Sequence, residues 1–255
     1  ARPPVPLLAP EEIAEIRRKV LANGTQALEF KSALDDMRLA GPAAAPAVPI
    51  IVEALERGLS LPLTVAAIET LADVESPEAT AVVATYAAHR LATVRRVAVN
   101  ALRRTGGPLA VKIMQDALND PDAIVRSSAA LGLGSLRAPE AVTDLLRALD
   151  RGVTDAAIAV GQLCAPEQCR QFVAKLGALP VDAMMSGFEP LLVRPASAVG
   201  DDVKIHAIEK IRDQGTLRAN QWLSKMRSRA QDAAMSPQVI RALDQAKVAT
   251  SRGVQ

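Results

Sequence analysis

Aromatic side chains are almost missing from this chain: three Phe, one Tyr and one Trp stand among 255 residues. Alanine is abundant and strand patterns are lacking, a combination that argues for close-packed helices with small residues at their crossings. Histidine occurs only at His89 and His206, far apart and in neither a His-Glu nor a His-x-x-x-His arrangement. Cysteine occurs only at Cys164 and Cys169, with no His or acidic ligand nearby to complete a zinc site. No acidic loop of calcium type appears, so the expectation is no metal and no cofactor. A formal net charge of +2 is close to balance and gives no general pull toward nucleic acid. No apolar run approaches the ~20 residues that cross a bilayer. Ser127 and Ser128 lack a Gly-x-Ser-x-Gly elbow. Gly132 and Gly134 fall inside a helical pattern rather than between a strand and a helix, which removes the phosphate-loop reading. No catalytic residue is assigned.

What is present is a period. Pro46, Pro77, Pro108 and Pro139 follow one another at intervals of 31, and Pro166 follows after a shortened interval of 27. A fixed period of this size marks a stacked-repeat architecture. Proline suits the first helical position, where its missing N–H has no intrahelical partner. Glu78, Glu140 and Glu167 then occupy the first turn, where the helix dipole favours a carboxylate. A second helix follows each first one in constant register. Leu63, Val94, Val125 and Ala156 share a column; Ala67, Ala98, Ala129 and Val160 share the next; Leu71, Leu102, Leu133 and Cys164 form a third. Columns four residues apart make one apolar stripe. Val52, Val83, Met114 and Leu145 form the matching column on the first helices.

The run Asp120-Pro-Asp-Ala-Ile-Val-Arg-Ser-Ser-Ala-Ala-Leu-Gly-Leu-Gly134 resembles the second-helix signature of HEAT repeats, particularly the short bacterial type also found in phycocyanobilin lyases. A second copy runs from Ala92 to Leu102, and the resemblance covers roughly residues 42–180. It implies an all-α fold, an α-solenoid of stacked antiparallel helix pairs (a HEAT-like or armadillo-like superhelix) whose second helices line a concave face. The resemblance also implies that an arginine at the Arg95/Arg126 column pairs with an acid of the preceding turn, as Asp122 would with Arg126. HEAT-like hydroxylases carry His-Glu pairs that this chain lacks. HEAT-like alkyl-purine glycosylases carry a basic groove with aromatics, whereas Trp222 and Tyr86 here stand on distant helices.

The expected organisation is a Pro-rich arm at 1–10 and a single solenoid at 11–255. Within it, 11–41 is a capping pair, 46–195 the repeats and 201–255 C-terminal helices. The capping pair has Ile13, Ile16, Val20 and Leu21 on its first helix, from 11 to 22. Leu28, Phe30, Leu34 and Met37 lie on its second, from 25 to 39, after a stop at Asn23-Gly24. In the pair after Pro166, Met184, Met185, Phe188 and Leu192 replace the alanine-rich stripe and read as core filler, with a ligand pocket as the alternative. Asp201 and Asp202 are expected to cap a helix beginning at 203. The stretch from Leu217 onward is the most basic of the chain, with Arg218, Lys225, Arg227 and Arg229 among its cations.

These features point to a non-enzymatic scaffold that binds another protein along the second-helix face. The residues expected to contact it are Glu69, Arg95, Asn100, Arg103, Arg126 and Gln162, with Leu131 in the same exposed column. The alternative is a solenoid that handles a chromophore or nucleic acid. A deep pocket beside His206, Trp222 or Met185 would favour that alternative, and a shallow groove along the named column the scaffold. Cys164 and Cys169, at the end of one helix and the start of the next, stand within reach of a disulfide; Cys164 alternatively fills its column as a small buried hydrophobe. A bond there, together with the Pro-rich opening, leans toward an exported protein, with the cytoplasm as the alternative.

Overall fold

The computed structural model describes residues 7–21 and 27–253, the side chains of 251–253 excepted. The first six residues of the expected arm and the Asn23-Gly24 stop lie outside that range. Among the described residues every regular element is a helix, apart from one isolated bridge between Leu176 and Leu179. The order is α1 (Pro10–Leu21), α2 (Ala27–Ala40), a 3₁₀ turn (Gly41–Ala47), α3 (Val48–Arg57), α4 (Leu61–Val74), α5 (Pro77–Tyr86), α6 (Ala92–Thr105), α7 (Gly107–Ala117) and α8 (Ala123–Ser135). A second 3₁₀ turn (Pro139–Ala141) leads into α9 (Val142–Asp150), α10 (Ala156–Leu163), α11 (Pro166–Ala174), α12 (Val181–Val193), α13 (Asp201–Arg212), α14 (Leu217–Arg229) and α15 (Pro237–Gly253).

Chain contacts divide the protein into two compact units, Ala1–Gly132 and Leu133–Gln255. In the first, α3 packs on α1 and on α5, and α5 on α7, forming one row. A second row is formed by α2, α4 and α6. In the second unit α9, α11, α13 and α15 follow one another in one row, and α10 packs closely on α12. Both units are therefore built of stacked helix pairs.

The columns explain this packing. Ala67, Ala98, Ala129, Val160, Leu71, Leu102, Leu133 and Cys164 are all fully buried, as are Val83, Met114 and Leu145 on the first helices. Fully burying one Val, Leu or Met side chain stabilises by roughly 1.5–3 kcal/mol. Leu63 and Val52, the first members of their columns, are half-buried; the buried column residues each contribute on this scale to the fold's stability.

The structure departs from expectation in several places. Pro46 lies inside the first 3₁₀ turn and Pro139 opens the second, so α3 begins at Val48, with Pro49 as its early proline, and α9 at Val142. Leu28, expected on the buried side of α2, is 76% exposed, because Phe30, Ala33, Leu34 and Met37 already fill the inward stripe. Asp201 does not cap a helix but opens α13, with Gly200 at the cap position. The helical run Ala27–Arg57, made of α2, the 3₁₀ turn and α3, meets the length and composition of a membrane span. Its Phe30, Leu34, Met37, Ile50 and Ile51 are spent on the core of the first unit.

Candidate functional site

On α4, burial of Ala67, Ile68, Leu71 and Ala72 leaves Glu69 and Asp73, four apart, on the opposite stripe. On α6, burial of Ala98 and Leu102 does the same for Asn100 and Arg104. Arg38 on α2 stands 31 residues before Glu69 and extends the same column by one repeat. Its guanidinium lies 3.3 Å from Glu69 and 3.4 Å from Asp73, and Arg104 pairs with the other oxygen of Asp73. Three helices of the first unit thus carry one line of alternating charge. The side chains of that line are a third to nearly half exposed, so the pairs add little stability. Asn100 and Arg103 beside them are exposed.

Arg95 and Arg126 have another task. Arg95 makes a two-pronged pair with Asp120 at 2.7 and 2.8 Å, and its Nη1 donates to the carbonyls of His89 and Arg90. Arg126 repeats the second half of this pattern 31 residues later, donating to the carbonyls of Asp120 and Pro121. The expected Asp122–Arg126 pair gives way to Asp122–Arg96. Asp122 also accepts the N–H groups of Ile124 and Val125 at 3.0 Å, closing the first turn of α8. The Arg96 hydrogen bonds, helped by those N–H groups, hold its carboxyl well below the usual range. Burial acts to raise Asp120, but Arg95 and the N–H of Asp122 overcome it and lower its pKa as well.

In the second unit Gln162 is exposed on α10. Cys164 ends that helix and is bonded to Cys169 in α11, with Cα atoms 5.2 Å apart and both side chains buried. Nη1 of Arg194, at the end of α12, donates to the Cys164 carbonyl at 2.8 Å. Arg194 is half-buried and its pKa is lowered by desolvation. Lys204, 2% exposed, donates to the carbonyl of Arg194, and burial lowers its pKa too. A cavity of about 520 Å³ opens beside Arg194 and Gln162.

Beside Trp222 lies a depression of about 260 Å³, rimmed by the pairs Arg218–Asp182 and Lys225–Glu189. Trp222 and Met185 form its closed floor, each about one-twentieth exposed, and the indole N–H donates to the Met185 carbonyl at 3.2 Å. Met184, Phe188 and Leu192 are fully buried, with Phe188 edge-on to Phe172 at 5.2 Å. His206 lies exposed 4.0 Å from Glu209. His89 accepts the N–H of Leu91, and its ring stacks on half-buried Tyr86. Among the described residues no group of three or more His, Cys, Asp or Glu is placed to hold a metal.

The family model for HEAT repeats matches residues 48–134 and 87–161. The match is to the repeat and does not single out the type found in phycocyanobilin lyases. No curated protein matches the chain. Among solved structures it is similar to an engineered protein, at 16% identity over 95% of this chain and 97% of that one, with a TM-score of 0.31. Human deoxyhypusine hydroxylase in complex with glycerol is similar at 17% identity over 95% and 96%, with a TM-score of 0.26. A designed armadillo repeat protein is similar at 16% identity over 94% and 99%, with a TM-score of 0.30.

Proposed function

We propose that this chain, whose residues 48–134 and 87–161 match the family model for HEAT repeats, is a non-enzymatic scaffold that binds another protein through the second-helix side of its repeats. The observation that carries this reading is the column of Arg38, Glu69 and Asn100, which keeps its outward register while the columns beside it are buried. In this reading Glu69, Asn100 and Arg103 meet the partner in the first unit, with Arg38 and Arg104 beside them. Gln162 does so in the second. Arg95 and Arg126 contribute indirectly, by fixing the loops from which the second helices start. Charges of this kind steer encounter and set orientation more than they add affinity.

The test is a paired substitution on the exposed side, Asn100→Trp with Arg103→Glu, followed by crosslinking and co-purification. Partners of the parent chain are expected to be lost while the melting temperature stays the same. Undiminished recovery of the same partners would place the contact elsewhere.

A further inference from the structure

We propose that the cavity between the end of α8, α10 and α12 is a binding site for the C-terminal carboxylate of a peptide whose last residue is apolar. The inference rests on the protein-binding reading above and gives it a ligand class. The cavity, about 520 Å³, is of the size that ligand sites usually have. Its polar side is made by Arg137, Arg194 and Gln162, its apolar side by Leu163, Pro190 and Val193, and no acidic side chain lines it. Among the described residues no carboxylate pairs with either arginine. Arg194 satisfies one nitrogen on main-chain carbonyls and remains a half-buried cation. A guanidinium presents five donors in a fixed fork that fits a carboxylate. Two of them beside an apolar wall suit a chain end, where the carboxylate and the last side chain leave the same carbon.

The backbone at Arg137 gives a second and independent observation. α8 ends in a Schellman turn: the N–H of Ala138 reaches the carbonyl of Leu133, and that of Arg137 the carbonyl of Gly134. Arg137 is the left-handed residue of that turn, with φ 53°. Its equivalent one repeat earlier is Gly106, at φ 67°, the residue type such a position accepts without strain. The chain therefore keeps a long cationic side chain at the mouth of the cavity where glycine would be the easier choice for the backbone. Substituting Arg137→Gly then separates fold from binding, because it relieves the turn and removes the guanidinium.

Fluorescein-labelled hexapeptides ending in Leu, Val, Ile or Phe, each as free acid and as C-terminal amide, are titrated with the full chain and followed by anisotropy. The free acids are expected to bind saturably, and the amides at least about tenfold more weakly, the scale of one lost charge-assisted hydrogen bond. Arg137→Gly is expected to melt higher than the parent and to lose the free acids by a similar factor. Arg194→Lys, which keeps charge but not the fork, is expected to weaken them while preserving helicity. Equal binding of acid and amide, no binding by either, or full affinity in Arg137→Gly overturns the proposal. So does displacement of the peptides by inorganic phosphate at concentrations where acetate has no effect. The measurement needs no natural partner: failure here with loss of partners in the Asn100/Arg103 variant removes only this site, whereas the reverse pattern removes the second-helix reading.

Discussion

At Asp122 one carboxylate serves two structures. It closes the first turn of α8 through the N–H groups of Ile124 and Val125, and it holds Arg96 of the preceding repeat. Its carboxyl, and that of Asp120, titrate below the ordinary value of 3.8. A group with a depressed pKa in the folded state contributes stability that is present above its unfolded value and is lost as pH falls toward the folded one. The chain is therefore expected to lose stability below about pH 4, and Asp122→Asn to be less stable than the parent at pH 7 but to lose less on acidification. Urea titrations at pH 7, 4 and 2.5 check this; parallel declines in parent and variant would mean that the loop carboxylates are not the acid-sensitive groups. The sequence made the arginine column visible but not its partners. Arg96 is one residue from Arg95 and the two acids are two residues apart, so only backbone geometry decides which of them meet. Arg38 was open to a simpler deduction, being Glu69 minus one period, and was obscured because its helix read as an end cap.

Glycine marks the helix crossings, and its positions do not all carry the same weight. On α10, a Cβ at Gly161 would stand 1.9 Å from the Gly187 carbonyl oxygen. On α12, a Cβ at Gly187 would stand 2.4 Å from the carbonyl of Ala157 and from the Phe172 ring. These helices approach backbone to backbone, and neither can yield without moving the other. A Cβ at Gly132 in α8 would meet first the thioether of Met114, the far end of a flexible side chain. Gly161→Ala and Gly187→Ala are each expected to cost about 3 kcal/mol or more, the upper end of overpacking penalties. Gly132→Ala should be near neutral, since relief of up to about 1 kcal/mol in helix propensity offsets the shift of Met114. Thermal melts of the three variants decide it, and equal losses in all three would refute the distinction. The helices themselves were legible because proline and the apolar stripe mark their starts and inward faces; α5 and α11 begin at Pro77 and Pro166 as read. The starts of α3, α9 and α13 were not, because 3₁₀ turns absorb Pro46 and Pro139, and an acidic pair reads alike as cap or first turn.

Across the whole molecule, stability in a repeat array is nearly a sum of local terms between neighbouring layers, so a local defect should stay local. The 31-residue register holds from Pro46 to Pro139 and shortens at Pro166, next to the place where Cys164 and Cys169 join α10 to α11. The loop this bond closes spans a sequence separation of only 5. For a loop that short the chain-entropy account gives about 2 kcal/mol. The sequence put the thiols within reach of each other but left open whether Cys164 only fills its column, because burial and bonding ask for the same small side chain. The double variant Cys164→Ser with Cys169→Ser is expected to lose amide protection in α10, α11 and α12. Protection in α4 and α6 of the first unit should keep its parental value, as hydrogen exchange followed by mass spectrometry would show. An equal loss in both units would mean that the array unfolds as one body and that its layers do not hold their stability locally.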